Sequence, residues 1–81
     1  MEQLMRHEFI LVFRLANKNE DPRVHADVLK YCYNARPSFG IRGYLAVEFD
    51  REAPTLTEAK RSAVRDIQYV VPDAKLDVLS E

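Results

Sequence analysis

The chain contains one cysteine, Cys32, so no disulfide can form within it and nothing in its thiol content points to secretion. Tryptophan is absent, and 81 residues hold only two glycines and four prolines. That is too little of either for a collagen-like or low-complexity disordered chain. Long hydrophobic runs are missing too. The longest, Phe9 to Phe13, falls far short of the roughly 18 residues that a membrane span needs. Residues 1–8 carry Glu2, Arg6 and Glu8 and lack the apolar centre of a signal peptide. Neither sign of charge dominates: 12 Lys and Arg face 13 Asp and Glu, a net charge of −1. This balance argues against a protein built to coat nucleic acid or an anionic membrane. The default compartment is the cytoplasm; a phage or plasmid protein acting inside a bacterial cell would look the same.

What is present is the balance of a soluble globular protein, 47% apolar and 31% charged residues. The length allows a single domain, 1–81. Such a chain buries about 60% of its unfolded surface, enough to fold without staples.

Phe9, Leu11, Phe13 and Leu15 alternate with Glu8, Ile10, Val12 and Arg14, which predicts a strand. After the polar stretch 17–20, Asp21-Pro22 reads as a helix start, with Asp as N-cap and Pro in the first turn. Val24, Val28, Leu29 and Cys32 then carry a helix to about Tyr33. Ala35 to Gly40 is a weaker strand, and Pro37 places it on a sheet edge. Ile41-Arg42-Gly43 forms a turn into a strand over Tyr44 to Asp50, with Leu45, Val47 and Phe49 on one side. Thr55 and Glu58 have capping-box spacing. They open a helix whose stripe is Leu56, Ala59, Ala63, Ile67 and Val70, with Lys60, Arg61, Arg65 and Gln68 on the wet side. Pro72 ends it, and Leu76 and Val78 form a last short strand.

The order strand, helix, strand, strand, helix, strand predicts an α+β, ferredoxin-like fold: a four-stranded antiparallel sheet with both helices on one face and strand order 4-1-3-2. The core side takes Phe9, Leu11, Phe13, Leu45, Val47, Phe49, Leu76 and Val78. The open side takes Glu8, Ile10, Val12, Arg14, Tyr44, Ala46, Glu48, Lys75, Asp77 and Leu79. Ile10, Val12, Tyr44 and Ala46 then lie together on the two central strands. A contiguous apolar patch on the order of 300 Å² on a small protein marks a contact surface, and a charged rim suits a protein partner.

Chemical motifs are scarce. His7, His25 and Cys32 lack the paired spacing of a zinc site, so no metal and no cofactor is expected. Cys32 lies on an apolar stripe, where a thiol is inert packing rather than a nucleophile. Asp50, Arg51 and Glu52 could suggest acid–base chemistry; the simpler reading is a strand end where charges solvate the loop. No catalytic residue is assigned, and the chain is read as a non-enzyme without a small-molecule substrate. The stretch Arg42-Gly43-Tyr44-Leu45-Ala46-Val47-Glu48-Phe49 partly matches the first signature of RNA-recognition motifs. Those motifs stack bases on sheet-face aromatics. Here the second stacking position is Ala46, and the first strand offers Ile10 and Val12, so nucleic-acid binding is the minor alternative.

The run Phe49-Asp50-Arg51-Glu52-Ala53, followed by Glu58-Ala59, Ser62-Ala63-Val64 and Asp66-Ile67, resembles a family of small bacterial helix-turn-helix DNA-binding proteins. Their N-terminal domain is ferredoxin-like. His7-Glu8-Phe9, Phe13-Arg14-Leu15, Pro72 and Ala74-Lys75-Leu76 extend the resemblance over nearly the whole chain. The family's Gly-Cys-Asp-Asp-Ala stretch is replaced by Tyr31-Cys32-Tyr33-Asn34-Ala35, and the sequence stops at Glu81 without a helix-turn-helix. The resemblance therefore implies the fold, not DNA reading. It implies a dimerisation or sensing module, or a stand-alone phage or mobile-element inhibitor of a bacterial defence complex, of the anti-CRISPR type. Tyr31 and Tyr33 form an expected second contact patch, since Tyr is a favoured interface anchor. The functional expectation is a regulatory protein–protein interaction domain that binds a partner, or itself as a homodimer, through Ile10, Val12, Tyr44 and Ala46.

Overall fold

Two long strands dominate a computed structural model of the chain, which describes residues 3–30, 32, 34–38 and 41–77. Strand β1 (Met5–Arg14) and strand β3 (Tyr44–Ala53) pair antiparallel along their whole length, from Met5 opposite Ala53 to Arg14 opposite Tyr44. Their period-two alternation buries Leu11 and Phe13 of β1 and Leu45, Val47 and Phe49 of β3. Strand β2 (Ala35–Ser38) pairs with β3, and β4 (Lys75–Leu76) pairs with β1. The sheet order is β2-β3-β1-β4, so β2 is an edge strand, as Pro37 requires.

A 3₁₀ turn (Pro22–His25) leads into helix α1 (Ala26–Leu29); helix α2 spans Leu56–Val70. The described residues thus form an α+β arrangement, a four-stranded antiparallel sheet with two helices, which is compatible with a ferredoxin-like fold. Leu29 of α1 and Ala63 and Ile67 of α2 share one core with the inward residues of the sheet. Phe9 and Leu76 pack on its margin, and the Phe9 and Phe49 rings stack with centroids 5.4 Å apart. Val78 and Leu79, expected on the last strand, lie outside the described residues.

Three elements depart from the sequence reading. Both central strands are longer: β1 begins at Met5, so it includes His7, and β3 runs on to Ala53. Charged residues at 6, 8, 50 and 52 hid this extension, because they lie on the solvent face of a continuing ladder. The first helix is much shorter than a helix to about Tyr33. Its first turn is closed by the Val24 N–H donating to the Asp21 carbonyl, and α1 ends at Leu29. Val24 and Val28 are weak helix formers, and a helix this short has little propagation to offset nucleation. Val24 is 65% exposed and not on the buried stripe. Asn34, at φ 47°, then turns the chain into β2.

The predicted caps are in place. The Asp21 side chain accepts from the Arg23 N–H, and the Thr55 hydroxyl accepts from the Glu58 N–H. Helix α2 stops at Val70, just before Pro72, but Leu56 at its start is exposed. Gly43 bridges two segments: its carbonyl accepts from the Leu15 N–H at 2.8 Å, and its N–H donates to the Glu20 carbonyl at 2.8 Å.

Candidate functional site

The ladder decides which residues share the face turned away from the core. Even-numbered residues of β1 and β3 point there: Arg6, Glu8, Ile10, Val12 and Arg14, opposite Glu52, Asp50, Glu48, Ala46 and Tyr44 in turn. Arg36 and Ser38 of β2 extend the face beside Glu48 and Ala46. Lys75 of β4 extends it beside Arg14. Val12 and Ala46 are direct cross-strand partners and half-buried. Ile10 is 54% exposed and Tyr44 is 36% exposed; each is diagonal to one member of that pair. The four apolar residues therefore do come together. Their immediate neighbours are charged, since Ile10 faces Glu48 and Tyr44 faces Arg14. Tyr31 and Tyr33, the expected second patch, lie outside the described residues.

Charge on this face is sorted along the strands. At one end lie Glu8, Glu48, Asp50 and Glu52 with Arg6 and Arg36 among them. At the other lie Arg14 and Lys75, with Asp77 two residues further along the chain and level with Val12, its carboxylate 3.8 Å from Arg14 Nε. The Asp77 N–H donates to the Val12 carbonyl at 2.8 Å. A surface hollow of about 840 Å³ opens at the basic end, lined by Arg14, Lys18, Tyr44, Lys75 and one acid, Asp73. At the acidic end Arg6 holds Asp50 through Nε at 2.7 Å and Nη2 at 2.6 Å, and reaches Glu8 at 2.7 Å. The hydrogen bond from Arg6, aided by its charge, keeps the Asp50 carboxyl below the usual carboxylate range.

The other side of the sheet holds a residue that the sequence reading misplaced. Arg51 is not a solvated strand end. It is 5% exposed and lies on the helix-facing side of β3. Its Nη1 is 2.8 Å from the Asp66 carboxylate and donates to the Ser62 hydroxyl at 3.2 Å, and its guanidinium sits 5.0 Å from the Phe49 ring centre. These contacts bind β3 to α2. The signal was available: odd positions 45, 47 and 49 are inward, and 51 continues their period. Cys32 is buried beside this cluster, its thiol 3.8 Å from the Asp66 carbonyl. Burial pushes that thiol up, and Asp66 adds to the shift, so it is a poor nucleophile.

The two histidines serve local structure. His7 Nε2 lies 3.1 Å from the Ala53 carbonyl across the ladder, and His25 Nε2 lies 3.3 Å from Glu20. Among the described residues no three His, Cys, Asp or Glu side chains converge as a metal site requires. No described helix is long and apolar enough to cross a membrane.

The arrangement defines a class by architecture: a small α+β domain whose antiparallel sheet presents one face, apolar at its centre and oppositely charged at its ends. No protein-family model, no curated protein and no solved structure matches the chain.

Proposed function

We propose that the chain is a non-enzymatic protein-interaction domain of ferredoxin-like fold that binds its partner through the open sheet face. The fold reading is supported by the sheet order, which from the β4 edge runs 4-1-3-2, and by the core that both helices share. It is also the fold that the helix-turn-helix family resemblance implies. The interaction reading rests on one observation above all. Ile10, Val12, Ala46 and Tyr44 form a single apolar island on the two central strands, inside a largely charged rim. Apolar centres with polar rims are the anatomy of protein interfaces.

The test pairs Val12→Lys with Tyr69→Lys, a control on the exposed surface of α2. Wild type and Tyr69→Lys, immobilised and challenged with a bacterial lysate and, separately, with the purified wild-type chain, are expected to retain the same bound protein. Val12→Lys is expected to lose it while keeping the wild-type circular dichroism spectrum. Equal retention by all three overturns the reading, and unfolding of Val12→Lys means that the face assignment is reversed. A bacterial defence complex as the partner would use the same face and show the same loss.

A nucleic-acid role would need Tyr44 as a stacking platform, and its position beside Arg14 and Lys75 is the feature that favours it. Ala46, Ile10 and Val12 offer no second ring, and carboxylates occupy the far half of the face. Fluorescence anisotropy with single-stranded RNA at low salt decides between the two. Micromolar binding abolished by Tyr44→Ala would replace the protein-partner reading.

A further inference from the structure

We propose that the partner of the open face is a second copy of this chain, packed face to face with its strands antiparallel about a two-fold axis. The inference rests on the interaction reading above and adds to it the occupant and the orientation.

Charge placement selects this arrangement. A two-fold axis along the strands would set acidic end on acidic end, Glu8 and Asp50 of one copy against the same pair of the other. An axis across the strands inverts one copy and sets acidic end on basic end. The apolar positions fix where that axis passes. On β1 they are Ile10 and Val12, so an axis at the level of Leu11, and of its partner Val47, lays each Ile10 on the Val12 of the other copy. The same operation lays Arg14 over Glu8 and Tyr44 over Asp50. Arg14 is exposed and approached by Asp77 at a loose 3.8 Å, and Glu8 is exposed and paired with Arg6 at 2.7 Å. The Tyr44 hydroxyl can donate to the Asp50 carboxylate. The same rotation sets Ala46 against Glu48 of the other copy, so the match is carried by β1, where the apolar pair and the charged pair align together. Both contacts occur twice, as an isologous interface demands.

The size fits a weak, transient dimer. About an axis at Leu11 only residues 8–14 of β1 and 44–50 of β3 overlap, seven rungs of ~3.4 Å on strands ~4.8 Å apart. With the short edge strands the footprint is on the order of 300 Å² per copy. The accessible area removed from both copies is on the order of 600–800 Å², the range of weak encounters, so association is expected only at high protein concentration.

The experiment is light scattering over a concentration series on wild type, Val12→Lys, Arg14→Glu and Glu8→Arg, with circular dichroism to confirm folding. Wild type is expected to approach twice the mass of the chain. Each variant is expected to dimerise about tenfold or more weakly, Val12→Lys because it sets a cation in the apolar contact and the two reversals because they put like charges opposite each other twice. An equimolar mixture of Arg14→Glu and Glu8→Arg is expected to recover wild-type association. In the mixed dimer one contact is wild type and the other is its mirror in charge. A wild type that stays monomeric at every concentration overturns the second-copy inference and leaves the face reading to its own test. A dimer that survives Val12→Lys overturns both. A dimer lost with Val12→Lys but indifferent to the charge reversals, or not restored by mixing, overturns the antiparallel arrangement and leaves the face reading intact.

Discussion

Arg51 and Asp66 form an ion pair that joins β3 to α2. A guanidinium is hidden between β3 and α2, while its carboxylate partner keeps its side chain 40% exposed. That asymmetry sets the order of two substitutions. Asp66→Ala removes the charge that balances a buried cation, whereas Arg51→Met removes the cation and keeps its apolar stem against Phe49. Asp66→Ala is expected to cost about 2–3 kcal/mol and Arg51→Met about 1 kcal/mol or less, as urea midpoints at constant slope will show. The opposite order would mean that the ring contact and the Ser62 bond outweigh the ion pair. Arg51 also marks the limit of residue-by-residue reading. Its period placed it inward, but its charge argued for solvent, and the approach of Asp66 and Ser62 from α2 resolves that conflict. Gly43 is similar. It was legible as a turn residue, but a Cβ there would lie 2.5 Å from the Lys18 carbonyl oxygen, a crowding set by a loop far away in sequence.

The strands and α2 were readable where local pattern and tertiary packing agree. Alternation in Phe9–Leu15 and Tyr44–Asp50, the edge role of Pro37 and the Thr55 cap all depend on chemistry within a few residues. The ends of β1 and β3 were not readable, because their continuation is held by cross-strand pairing that no single segment displays. Helix α1 failed for the complementary reason: its apolar spacing is helical, but its residues propagate a helix poorly. The candidate face follows the same division. Its four apolar members come from alternation alone, while its ion pairs needed the register. The Arg6–Asp50 pair joins the two long strands at their extended end, and its pH behaviour follows from Asp50. A carboxyl held below its unfolded value adds stability that is present above about pH 4 and is lost as pH falls through the lower folded value. Asp21, held down by hydrogen bonds from Arg23, acts in the same direction. Thermal midpoints are therefore expected to fall as pH drops below about 4, and Arg6→Gln is expected to make that fall shallower. An unchanged acid profile in Arg6→Gln would show that the pair forms without stabilising the strand ends.

For the whole molecule, a net charge of −1 means that two copies meet with almost no overall repulsion, so local charge decides how they orient. Salt then separates the contributions. Screening shortens the reach of exposed charges to about 10 Å at 0.1 M and about 3 Å at 1 M, and leaves apolar burial largely untouched. In the antiparallel dimer proposed above, Arg14 meets Glu8 twice, so added sodium chloride is expected to weaken wild-type association. In an Arg14→Glu homodimer the same positions set carboxylate against carboxylate twice, so salt is expected to strengthen it. The mixed pair of Arg14→Glu with Glu8→Arg restores opposite charges at both contacts and should weaken with salt as wild type does. Sedimentation equilibrium at low and high salt measures all three. Opposite signs for wild type and Arg14→Glu are what the antiparallel pairing requires. A common sign in both would mean that the charges respond to salt without facing one another, and that the apolar island alone brings the two copies together.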